Sequence, residues 1–62
     1  MVIAPLDQVS IQYRERAGSW TTVMRVQNLP ANIHIGMDSA ARANPGCRVR
    51  AVDGGGRVVD IR

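Results

Sequence analysis

Cys47 and His34 are the one cysteine and the one histidine of this 62-residue chain, thirteen positions apart. A structural zinc site needs about four ligands at recognisable spacing, so these residue types offer no metal centre. They do allow one catalytic arrangement: a Cys47 nucleophile with His34 as base, the imidazole oriented by Asp38 one helical turn later. A reactive thiolate requires an exposed, electropositive setting. Cys47 instead falls on the inward parity of a strand, and His34 falls on the flank of a helix. The pair therefore reads as a buried thiol and a surface imidazole.

Two further motifs point the same way. Gly54-Gly55-Gly56 resembles a phosphate loop only in glycine content, because such loops run from strand into helix and carry a Gly-Lys-Ser/Thr or G-x-G-x-x-G spacing. Here the glycines join two strands, and the chain has no lysine. The carboxylates Asp7, Glu15, Asp38, Asp53 and Asp60 are scattered over separate elements, and no two assemble into a general acid–base pair. The sequence thus predicts a protein that is not an enzyme, with no catalytic residue, no metal and no cofactor.

The chemistry that remains is arginine. All eight basic residues are Arg, the net charge is +3, and the isoelectric point lies near 10.5. A guanidinium suits bidentate contact with phosphate or carboxylate, although coding bias alone can replace Lys by Arg. What matters is which elements position them.

The apolar set holds eight Val and five Ile against two Leu, with no Phe. Stiff β-branched side chains suit a pleated surface. Val9 to Val26 reads as a hairpin with a loop over Arg16 to Ser19. In this register Glu15 faces Trp20, Tyr13 faces Thr22, Ile11 faces Met24, and Val9 faces Val26. Val9, Ile11, Tyr13, Trp20, Met24 and Val26 then share the inner face. Cys47 to Asp53 and Arg57 to Ile61 form a second hairpin around the glycines, pairing Val52 with Val58, Ala51 with Val59, Arg50 with Asp60, and Val49 with Ile61.

Between the hairpins, Ile33, Met37, Ala40 and Ala41 share one helical face, while Ile35 and Arg42 point away. Pro30 suits a first turn, and Asn44-Pro45-Gly46 is a strong stop. Against a helix stand the alternation Ile33-His34-Ile35-Gly36-Met37 and the cost of Gly36, about 1 kcal/mol relative to Ala. A shorter helix beginning at Asp38 is the alternative. The pattern favours a helix over about 30–43.

The sequence therefore predicts an α+β fold: a small ββαββ domain over residues 9–62, preceded by an arm, residues 1–8. One mainly antiparallel four-stranded sheet carries a helix on its apolar face. Strand order stays open between 2-1-3-4 and an arrangement with the second and third strands paired in parallel.

On the opposite face this register gathers Arg14, Arg16, Arg25, Arg48, Arg50 and Arg62 against the single acid Asp60. Val23, Val52 and Val58 form a small apolar patch among them. Single-strand nucleic-acid platforms stack bases on exposed aromatics, and here both aromatics, Tyr13 and Trp20, are expected in the core. The arginines with the valine patch point first to an acidic protein surface and second to a nucleic-acid duplex backbone. A third reading is self-association as a homodimer, since a chain this small gains from a second copy and four strands leave two open edges.

No stretch approaches the roughly 18 apolar residues of a membrane span. Met1 to Leu6 is short and lacks a basic flank, and one cysteine builds no internal disulfide. The expectation is a cytoplasmic protein with no membrane partner.

Overall fold

The computed structural model describes residues 8–62. The elements run β1 (Gln8–Arg14), β2 (Thr21–Gln27), α1 (Pro30–Ala43), β3 (Arg48–Asp53) and β4 (Val58–Ile61). The four strands form one open sheet, ordered β2-β1-β3-β4, in which every neighbouring pair is antiparallel. Among the described residues a single helix packs on it, completing a small α+β ββαββ domain. Of the expected arm, residues 1–7 lie outside the described residues, and Gln8 opens β1.

The topology resolves the open strand order. β2 and β3 run in the same direction, as both arrangements require, and β1 lies between them. With β1 inserted, both its edges make antiparallel ladders, which are slightly more stable per residue than parallel ones. α1 is the crossover that carries the chain over β1.

Alternation along β1 and β3 builds the core. Val9 and Ile11 from β1, Val49 and Ala51 from β3, and Met37 and Ala40 from α1 are all buried. Tyr13, Met24, Val26, Ile33 and Ala41 pack around them. Ile11 and Met37 are the largest side chains in this core, and burying each contributes about 1.5–3 kcal/mol.

The helix begins at Pro30, whose missing N–H is no loss in a first turn. Asn44 closes it with two hydrogen bonds to the Ala40 carbonyl, one from its backbone N–H and one from Nδ2, each 3.0 Å. Asp38 is mid-helix rather than its start. The strand-like alternation resolves as Ile33 facing inward and Ile35 facing solvent, 66% exposed. Gly36 is buried because the helix lies close to the sheet there. A Cβ at this position would meet Ile11 Cγ1 at 3.1 Å, so close packing offsets the helix cost of glycine.

Each hairpin departs from the expected register at one bulge. In the first, Val9 faces Val26 and Ile11 faces Met24 as anticipated. Gln12 then faces Thr22 and Tyr13 faces Thr21, leaving Val23 as the extra residue. In the second, Val52 faces Val58, but Asp60 faces Ala51 and Ile61 faces Arg50, leaving Val59 over. Because side chains alternate, each inserted residue sends everything beyond it to the opposite face.

The connections also differ. Asp53 organises the glycine loop, its Oδ1 accepting from the N–H groups of Gly55 and Arg57, 2.9 Å each. The first turn places Arg16 at φ 51°, a left-handed conformation that costs a non-glycine residue about 1–2 kcal/mol.

Candidate binding face

The side of the sheet away from α1 has no covering element among the described residues. From β1 it carries Ser10, Gln12 and Arg14, the residues that alternate with buried Val9 and Ile11. Arg25 joins it opposite Ser10. From β3 come Val52 opposite Ser10, Arg50 opposite Gln12, and Arg48 opposite Arg14. Val58 beside Val52 and Ile61 beside Arg50 complete it on β4.

The bulge at Val23 brings Trp20 to this face, correcting its expected place in the core. The Arg50 guanidinium carbon lies over the indole, 4.2 Å from the ring centroid, and that of Arg14 lies 4.8 Å from it. Each such contact contributes about 0.5–1 kcal/mol at an exposed site. Arg50 is fixed further by its Nε, which donates to Gln12 Oε1 at 2.8 Å, and Gln12 Nε2 donates to Thr22 Oγ1 at 3.1 Å. A side-chain chain Thr22–Gln12–Arg50–Trp20–Arg14 therefore crosses β2, β1 and β3. Arg14 Nε within it is shielded from solvent and has no acceptor. Tyr13, by contrast, packs on the core as expected.

The second bulge removes two residues from the face. Asp60 faces Ala51 on the helix side, so the anticipated Arg50–Asp60 pair does not form. Arg62 also turns to the helix side, opposite Val49, and pairs with Asp38 through Nη1. Its Nη2 lies 3.3 Å from His34 Nδ1, while His34 Nε2 lies 3.3 Å from Asp38 Oδ2. The Arg62 hydrogen bond, aided by the charges of Arg62, His34 and Arg42 against partial desolvation, holds the Asp38 carboxyl below its ordinary pKa of 3.8.

Of the six arginines anticipated together, Arg14, Arg25, Arg48 and Arg50 share the open face. Arg16 sits in the exposed turn and Arg62 on the opposite side. Val52 and Val58 adjoin one another on it, whereas Val23 is the exposed bulge residue at the β2 edge. No carboxylate stands on this face among the described residues. Arg14 and Arg48 stand directly opposite, a like-charge pairing that lowers the stability of a sheet.

Trp20, Thr22 and Ile61 are the face residues that sequence reasoning missed, whereas Gln12 lies on the side expected of it. The signal is in two doublets. Thr21-Thr22 and Val58-Val59 present the same side chain to either face, so a one-residue slip there meets no penalty from the doublet itself.

Elsewhere, Cys47 is half-buried just ahead of β3, and His34 is engaged by Arg62 and Asp38. Among the described residues no three His, Cys, Asp or Glu side chains cluster to hold a metal ion, and no helix is long and apolar enough to cross a membrane. Comparison with family models, with curated proteins and with solved structures found no match to this chain.

Proposed function

We propose that this protein is a non-catalytic binding module whose open sheet face docks on an acidic protein partner. The observation that carries the reading is the opposed Arg14 and Arg48 on a face without a carboxylate. Folding alone disfavours that pairing, and an anionic partner compensates it. Interfaces are enriched in Trp and Arg set beside apolar side chains, and Trp20, Val52, Val58 and Ile61 supply that setting.

Nucleic acid ranks second on one specific observation, the presence of Trp20 on the arginine face. Both neighbouring guanidiniums already lie over its ring, which leaves less π surface for stacking a base.

A pull-down with the intact chain and with its Arg14→Glu/Arg25→Glu/Arg50→Glu variant tests the reading, with circular dichroism confirming that the variant folds. The expected result is capture of an acidic protein that persists after nuclease treatment and is lost with the triple reversal. Capture that survives the reversal places the site elsewhere. Capture abolished by nuclease, with an affinity falling by about 0.9 log units per log unit of salt for each duplex phosphate engaged, makes the ligand nucleic acid.

A further inference from the structure

On its β3 side the open face is graded along the strand direction, and the gradient suggests the form of the acidic ligand. Three rows cross it. The first is Arg14 and Arg48, the second is Gln12 and Arg50 with Trp20 over Arg50 and Ile61 alongside, and the third is Arg25, Ser10, Val52 and Val58. Reading along β3, the open-face residues are Arg48, Arg50 and Val52. Two cations are therefore followed by an apolar position at two-residue intervals.

Residues two apart on a strand are separated by about 6.6–6.8 Å. A second extended chain has the same repeat, so its alternate side chains meet these positions in step. Adjacent carboxylates of an extended chain point to opposite sides and do not keep this spacing. We infer that the open face recognises an extended acidic segment with carboxylates on two alternate residues and an apolar side chain on the next, laid along β3. This inference rests on the proposed acidic partner and adds its conformation and residue order.

Preorganisation favours Arg50 and its neighbour Arg14 over the outlying Arg25. The Arg50 guanidinium is tied through Nε to Gln12 and held over Trp20, leaving its two Nη groups for a ligand. Arg14 is held by the other indole contact. Side chains ordered before association do not lose that freedom on binding. Val52 and Val58, the latter 42% exposed, offer the apolar contact at the end of the run.

The test uses two synthetic peptides of identical composition, titrated into the isotope-labelled full chain and followed by amide and indole NMR signals. One has the order Glu-Ser-Glu-Ser-Val, flanked by serines. The other places the two Glu side by side, with Val separated from them. The expected result is about tenfold tighter binding of the alternating peptide, with the largest shifts at Arg48, Arg50, Val52 and the Trp20 indole N–H. Arg50→Gln is expected to abolish the preference while the remaining spectrum stays folded.

Equal affinity for both peptides, lost on Arg14→Glu/Arg48→Glu substitution, overturns the ordered motif while leaving the acidic-partner reading in place. No shift on the open face with either peptide overturns the motif as well, and the pull-down then decides the broader reading. Shifts confined to the helix side overturn both.

Discussion

The two faces of this sheet are made from alternate residues of the same strands, yet they obey different rules. The helix-side face is apolar, tightly packed and intolerant: Ile11 and Met37 are fully buried, and Gly36 lets the helix approach within contact of Ile11. The open face is cationic and held by polar and cation–π contacts rather than by burial, and it contains a directly opposed arginine pair. One face supplies folding free energy. The other adds the cation–π contacts of Trp20 and sets against them one like-charge pairing, Arg14 with Arg48.

Substitutions can break this contrast, starting from the largest effect. Met37→Ala is expected to cost about 2–5 kcal/mol, comparable with the total of about 3–9 kcal/mol that 62 residues command. Urea or thermal unfolding should show a midpoint lowered far enough to account for a large fraction of the total stability. A loss under 1 kcal/mol would mean that the helix is not the main cover of the sheet.

Gly36→Val places its new side chain against Ile11 and Met24 and is expected to cost about 1–3 kcal/mol by overpacking. A neutral result in the same unfolding experiment would show that the helix can lift without loss.

Trp20→Ala discriminates the faces most directly. On the open face it removes two cation–π contacts and should cost about 1–2 kcal/mol. A core tryptophan would cost about 3–5 kcal/mol. Ready quenching of Trp20 fluorescence by acrylamide would agree with the smaller figure, and a blue-shifted, shielded emission would return it to the core.

Arg48→Thr is expected to act in opposite directions on stability and binding. Relieving the repulsion with Arg14 should raise stability by some tenths of a kcal/mol, while affinity for the acidic ligand falls. A variant that loses stability would show that Arg48 supports the fold.

The smallest effect concerns the helix-side cluster. Asp38 is more acidic in the folded chain than in the unfolded one, chiefly because Arg62 donates to it. Its contribution to stability is therefore fully present above pH 3.8 and is lost as pH falls through the lowered folded value. Asp38→Asn should flatten the acid limb of a stability–pH curve. An unchanged limb would show that the Arg62 contact does not persist in solution.

Much of this contrast was legible in the chain. The Val9, Ile11, Val49 and Ala51 alternation pins its strands, while the spacing of Ile33, Met37 and Ala40 and the stop at Asn44-Pro45-Gly46 favour the helix over the strand-like alternation of residues 33–37. The apolar side chains of those strands have only one buried solution. The cationic character of the open face was legible too, through Arg14, Arg25, Arg48 and Arg50. Its membership was not, because Trp20, Asp60, Ile61 and Arg62 all lie beyond a bulge.

The sequence by itself determined two hairpins and a basic face, because hydrophobic burial penalises any other register along β1 and β3, and it favoured a helix over 30–43. Tertiary structure alone decided the strand order and the two slips. At Thr21-Thr22 and Val58-Val59 the neighbouring side chains are equivalent, so local pattern has no preference. Contacts across the fold choose instead: Trp20 with Arg14 and Arg50 on one side of the sheet, and Arg62 with Asp38 on the other.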